Sequence, residues 1–202
     1  MSGRRVEIKA DPAYWRAFAE LMSRIEASLG KYKGPAVAVY VAGGAASHIY
    51  TGSRLSADID ATLGRRLLLP EDLQVMYKDQ DGKHRTLYFD RQYNDTLGLM
   101  HDDAHADSVS IDVPGVNRKR LDVRVLSPVD LAVSKLARYA DPDLEDIEAL
   151  ARAGLLESKE LRQRAEEALM GYIGRVNDVR LSIDQACRMV DEILRAGRPK
   201  KP

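Results

Sequence analysis

The stretch "VAGGAASHIYTGSRLSADID", Val41–Asp60, decides how this chain is read. It continues the valine-rich run "AVAVYVA", a buried-strand pattern that ends on Gly43-Gly44. Glycines at a strand end let backbone approach a ligand closely, and their exposed N–H groups suit phosphate oxygens. Further on, "SADIDATL" alternates, with Asp58 and Asp60 on one face and Ile59 and Ala61 on the other. Two side chains so placed lie about 6.6 Å apart at the backbone. At an effective dielectric of about 20 their charges repel by roughly 2.5 kcal/mol. A solvated strand tolerates that through water, whereas a pocket holding a third carboxylate needs a divalent cation.

The chain offers three sources for that third carboxylate. In "SIDVP", Asp112 lies between Ile111 and Val113, so it faces away from the core if they face into it. Asp122 has the same setting in "RLDVRVL", and Asp107 is a further option. Asp112 is preferred. Oxygen donors of this kind suit Mg²⁺ or Mn²⁺. His101 and His105 in "HDDAH" have helical metal spacing, but the surrounding sequence is loop-like and supplies no cysteine for a structural zinc.

The 202 residues suffice for one large or two small domains, with 45% hydrophobic and 31% charged residues as in globular chains. Thirty-one basic and 31 acidic residues give zero formal charge, which excludes a generally basic nucleic-acid coat. The clusters Arg65-Arg66 and Arg118-Lys119-Arg120 and the tail Arg198, Lys200, Lys201 read as solvated surface. One cysteine, Cys187, excludes an internal disulfide and suits a reducing compartment; its apolar surroundings read as core. No apolar run approaches the roughly 18 residues of a membrane span, and "MSGRRVEIKADP" lacks a signal-peptide core, so a cytoplasmic protein without membrane contact is expected.

Composition shifts near Ser127, from strands and turns to helical periodicity. A first helix is expected over Pro12–Leu29, capped by Asp11, ended by Gly30, with Trp15, Phe18, Leu21, Met22 and Ile25 on its apolar face. "LQVMYKDQDGKHRTLYFD" reads as a hairpin turning at Asp81-Gly82, and "DSVSIDV" and "RLDVRVL" as two more strands of a small mixed sheet. Helices capped by Ser127, Asp141, Ser158 and Ser182 follow, the second of them ending at Gly154. The expectation is an α+β sheet domain over 1–127, a helical bundle over 128–196, and a disordered basic tail over 197–202.

Gly43-Gly44, a helix-length gap and "SRLSADID" together resemble the signature of the DNA polymerase β-type nucleotidyltransferase superfamily. "VLSPVDLAVSKLARYADPDLEDIEAL" is similar to the region after the sheet in AbiEii-like and related nucleotidyltransferases of bacterial toxin–antitoxin systems. The resemblance covers roughly residues 37–153. It implies a nucleotidyltransferase fold, with Gly43, Gly44 and Ser47 on the triphosphate and Asp58 and Asp60 as metal ligands. Asp112 is then the third ligand and a general base. Family members often place a serine directly after the glycines; here "GGAAS" sets Ser47 one helical turn along. It further implies Lys135 as a charge-stabilising amine, Asp146 or Asp143 as a polar site residue, and Arg54 and Ser56 beside the glycine loop. Arg138 is expected to pair with Asp146 or meet a phosphate. The implied reaction moves a nucleoside monophosphate from an NTP to a tRNA, other RNA or protein acceptor with Mg²⁺ or Mn²⁺, in a toxin–antitoxin or phage-defence setting. An antitoxin-like protein that adenylylates or merely masks a partner toxin and a nucleotide-binding pseudoenzyme are the alternatives.

Overall fold

The computed structural model describes residues 6–95 and 98–197, and the basic tail lies outside them. The architecture is α+β, with six helices and two small sheets among the described residues. The chain forms two compact units. The first runs up to Tyr93 and takes in Ser108–Leu126; the second combines Asn94–Asp107 with the chain from Ser127 onward. Periodicity gave no sign that Asn94–Asp107 groups with the helices, because a turn-rich segment carries no period to read.

In the first unit, helix α1 spans Pro12–Ser28. Asp11 Oδ1 accepts from the Ala13 and Tyr14 amides at 2.8 and 2.9 Å, and Pro12 occupies a first-turn position where no N–H is needed. The buried face is Tyr14, Phe18, Leu21, Met22 and Ile25. Trp15, expected on that face, is half-buried at its edge and stacks on Phe18 with ring centroids 5.1 Å apart.

Strands β1 (Val37–Val41), β3 (Ala61–Leu63), β6 (Val109–Ser110) and β7 (Leu121–Val125) form a mixed sheet in the order β3-β1-β7-β6. β1 runs parallel to β7 and antiparallel to β3. A second sheet has the order β2-β5-β4, from Asp58–Ile59, His84–Phe89 and Gln74–Lys78. The expected hairpin is its β4–β5 pair. It turns where Gly82 has φ +76° and Asp79 Oδ1 accepts from the Asp81 and Lys83 amides. The single expected sheet is thus two. The segment carrying Asp58 and Asp60 divides between them, so the two aspartates do not share one strand: β2 pairs with β5, β3 pairs with β1, and Asp60 stands at the join.

Helix α2 (Gly43–Thr51) opens directly on the glycine pair. His48, on this helix, is 1% exposed. Its Nε2 accepts from the Asp11 amide at 3.0 Å, and its Nδ1 lies 2.7 Å from the Ser53 carbonyl. That network is satisfied by the neutral Nδ1–H tautomer, with Nδ1 donating. The ring also meets Tyr14 edge-on, with centroids 4.6 Å apart. One imidazole thus ties the start of α1 to α2 and to the loop leading into β2.

The second unit contains α3 (Pro128–Lys135), α4 (Asp141–Arg152), α5 (Ser158–Leu169) and α6 (Val176–Ala196). Ser127 caps α3 as expected, accepting from the Asp130 amide at 3.2 Å. The other caps differ from expectation. Asp141 is the first residue of α4 after Ala140, and the Asp143 carboxylate accepts from the Ala140 amide at 3.0 Å. Ser158 lies inside the first turn of α5 and bonds Asp191 instead. Ser182 lies inside α6, its hydroxyl donating to the Asp178 carbonyl one turn back; a serine so bonded gives no boundary signal. Cys187 is buried in α6, and desolvation raises its thiol above the usual range.

Desolvation lowers the His48 pKa, against the opposing pull of its hydrogen bonds and Asp11. A histidine depressed on folding binds more protons unfolded, so its contribution to stability is full above its unfolded value and falls as pH drops through it. Urea denaturation is expected to show stability falling between about pH 7.5 and 5.5, a slope that His48→Gln flattens.

Candidate active site

The glycine turn and the aspartate segment meet at atomic contact. Gly43 has φ +59°, and a Cβ added there would stand 2.0 Å from Asp60 Oδ2. A Cβ on Gly44 would stand 2.7 Å from Ser56 Oγ and 3.1 Å from an Arg54 guanidinium nitrogen. Neither position has room for a side chain, and at Gly43 the backbone conformation itself requires glycine. The sequence reading asked only for proximity; the structure shows van der Waals exclusion. Backbone bonding holds the approach: the Ala42 amide donates to the Asp60 carbonyl at 2.8 Å.

Ala42, the N-cap residue of α2, supplies no side-chain cap, and the first-turn amides form the positive end of the helix. Ser47 is fully buried, and its Oγ has no hydrogen-bond partner among the described residues. Ser56 is buried and donates to Asp58 Oδ1 at 2.6 Å, which orients that carboxylate. Asp58 and Asp60 are both half-buried.

A residue absent from the sequence reading joins this cluster. Tyr14 of α1 is 0% exposed, and its hydroxyl has no hydrogen-bond partner among the described residues. Desolvation raises its pKa far above the usual phenol range, with Tyr77, Asp58 and Asp60 adding and Arg54 opposing. A protonated phenol therefore sits within electrostatic reach of the carboxylates. Its spacing of four residues from Phe18 was the available signal, which reads equally as core.

The three-carboxylate set is not assembled. Among the described residues no group of three or more His, Cys, Asp or Glu side chains could hold a metal ion. Asp112 follows β6, three strands across from β3, roughly 14 Å away at ordinary strand spacing. Its side chain is 69% exposed and lies 3.6 Å from Arg118. Asp122 accepts from the Ser110 hydroxyl and from Arg124 at 3.0 Å, and it is level with Ala38, well along β1 from the glycines. Asp107, in the second unit, pairs with Arg164 at 2.6 Å. The alternation that placed Asp112 on the polar face was correct; alternation says nothing about which strand neighbours which. Mg²⁺ is commonly held by one or two carboxylates plus substrate phosphates. Asp58 and Asp60, beside backbone amides and with no sulfur or imidazole donor, fit that pattern.

The second unit holds its own cluster. Lys135 is 5% exposed, with Nζ 2.6 Å from Asp146 Oδ2 and 3.9 Å from Asp143 Oδ1. Arg138 makes two bonds of 2.7 Å to Asp143, the partner it was not expected to take. Burial works against the Asp143 carboxylate, but hydrogen bonds from Arg138 and the Ala140 amide, with the charges of Arg138 and Lys135, hold it below the usual range. The amine expected to face a ligand is thus engaged by carboxylates of its own unit. In the Asn94–Asp107 segment, His101 lies 3.4 Å from Glu167 and His105 2.9 Å from Asp95, so each imidazole has an acidic neighbour.

A family model matches most of the chain. The family model described as "Nucleotidyltransferase of unknown function (DUF6036)" matches residues 16–185. The chain belongs to this family. The match takes in the glycine turn, both aspartates and the Lys135 cluster, and it supports the nucleotidyltransferase superfamily without naming the AbiEii-like subgroup. No curated protein and no solved structure matches the chain.

Two outcomes follow from these contacts. Gly43→Ala forces a side chain into Asp60 at a left-handed position, and a loss of about 1–3 kcal/mol is expected in chemical denaturation. Lys135→Ala leaves Asp146 buried without its cation, with an expected loss of about 3–5 kcal/mol, whereas Lys135→Met combined with Asp146→Leu recovers most of it.

Proposed function

We propose that this protein is a metal-dependent nucleotidyltransferase that moves a nucleoside monophosphate from an NTP to an acceptor hydroxyl. The carrying observation is the exclusion of any side chain at Gly43 and Gly44 by Asp60, Ser56 and Arg54. A strand end stripped to backbone, facing the Asp60 carboxylate, the Ser56 hydroxyl and a guanidinium, suits a triphosphate bound with a cation. First-turn amides of α2 and the Arg54 guanidinium bind phosphate oxygens, and the Ser47 hydroxyl gains a partner. Asp58 and Asp60 hold Mg²⁺ or Mn²⁺, and Ser56 fixes the Asp58 rotamer. When bound, the cation offsets triphosphate charge and lowers the barrier to attack at phosphorus. The acceptor oxygen bonds to the α-phosphorus as the bond to the bridging oxygen breaks, and pyrophosphate leaves. The hydroxyl proton passes to a carboxylate oxygen of the pair.

The acceptor in this reading is RNA, such as tRNA, or protein. The setting is a cytoplasmic toxin–antitoxin or phage-defence module with a cognate partner, as the resemblance to AbiEii-like proteins implies. The helices of the second unit act as the C-terminal bundle of such enzymes. Lys135 and Asp146 hold α3 to α4 as a positioning pair; with its amine engaged, a direct role for Lys135 on the phosphates is set aside.

In thermal-shift assays Mg²⁺ with NTP is expected to raise the melting temperature, since a ligand at a hundredfold excess over its Kd adds about 2.7 kcal/mol. Asp58→Ala should remove the shift. An unchanged shift in that variant places the nucleotide elsewhere.

A further inference from the structure

The outer face of the β2-β5-β4 sheet begins at Asp58, one of the two carboxylates, and runs away from the glycine turn. The parallel β2–β5 pair sets Asp58 beside Tyr88 and Ile59 beside Phe89. Ile59 and Phe89 are buried, so Asp58 and Tyr88 share the opposite face. Tyr88 is 42% exposed, and the Asp58 charge is the first cause of its raised pKa, ahead of desolvation, Asp90 and Asp60. On the antiparallel β4–β5 pair, Met76 faces Thr86 and Lys78 faces His84. Val75 and Leu87 are buried between these positions, so Met76 (74% exposed), Thr86, Lys78 and His84 continue the same outward face.

We propose that this face receives the 3′ end of a single-stranded nucleic acid as the acceptor. Its terminal base lies on the Tyr88 ring and the phosphate behind it lies at Lys78 and His84. The proposal rests on the nucleotidyltransferase reading for the site at which the terminal hydroxyl must arrive. From Tyr88 to His84 is four residues, about 13 Å along the strand, enough for a terminal nucleotide and its 5′ phosphate. The outward positions of the two strands are Gln74, Met76, Lys78, His84, Thr86 and Tyr88, with no acidic side chain among them. Of the carboxylates at the two ends, Asp58 stands beside the ring, while at the hairpin turn Asp79 is paired with Arg85 and Asp81 lies beyond Lys78 and His84. An exposed ring followed by a lysine and further hydrogen-bond donors is how sequence-tolerant proteins hold single strands, by stacking and by backbone contacts. A protein acceptor would call for a contiguous apolar patch, and here Tyr88 and Met76 are the apolar members.

The test is fluorescence anisotropy of the full chain with short labelled oligoribonucleotides and oligodeoxyribonucleotides bearing free 3′ hydroxyls. Tyr88→Ala is expected to weaken binding by about fivefold to a hundredfold, the range for one lost base stack, while Tyr88→Trp keeps it. Lys78→Ala should weaken binding and lower the salt slope by about 0.7, the value for one phosphate contact on a single strand. Circular dichroism checks folding, and the NTP-induced thermal shift should be unchanged in all three variants. Absence of binding to both oligonucleotides, or equal affinity in wild type, Tyr88→Ala and Lys78→Ala, overturns the proposal. Transfer of the nucleotide to protein alone, with oligonucleotide binding indifferent to Tyr88, overturns it while leaving the catalytic reading standing. Tyr88-dependent oligonucleotide binding without an NTP shift does the reverse.

Discussion

Everything in the first unit turns on one steric fact: there is no room for a Cβ between the backbone of Gly43 and the carboxylate of Asp60. The contact joins the end of β1 to the join between β2 and β3, and the Ala42–Asp60 backbone bond holds it. Glycine at this position loses conformational entropy on folding and strengthens no helix, so its presence needs another reason. The left-handed φ of +59° and the contact with the Asp60 carboxylate are that reason.

The division of the acidic segment between two sheets gives the two carboxylates different neighbours. Asp58 belongs to the β2–β5 pair and is oriented by Ser56, with Tyr88 alongside. Asp60 faces the glycine turn. Two like charges near one another are thereby aimed from separate frameworks, which limits how far either can relax to escape repulsion. Tyr14 lies within electrostatic reach of both, packed edge-on against His48, and burial favours the neutral form of each ring.

The helical unit manages its charges by pairing them. Lys135 with Asp146, Arg138 with Asp143, and Arg164 with Asp130 each place a carboxylate of near-zero exposure against a cation. Such pairs add little net stability relative to apolar packing, but breaking one strands a buried charge, so they select a single arrangement of helices. This is also why a lysine flanked by apolar residues looks ligand-directed in sequence: burial is legible there, and the identity of the partner is not.

The sequence by itself determined the local chemistry. Asp11 and Ser127 as caps, the turn at Gly82, the face of α1 and the order strand, Gly-Gly, helix, Asp-x-Asp were legible, because each is set by dihedral preference or side-chain period within a few residues. The glycine and aspartate cluster was legible for the same reason, since its parts lie within twenty residues of one another. Tertiary structure alone decided which strands became neighbours. It set Asp112 three strands from Asp60, brought Tyr14 within electrostatic reach of the carboxylates and Tyr88 beside Asp58, and split one expected sheet into two. It also gave Lys135 two acidic partners. Those outcomes depend on long-range pairing, whose free energy comes from packing surfaces far apart in the chain, and a period of two or of 3.6 residues carries no record of them.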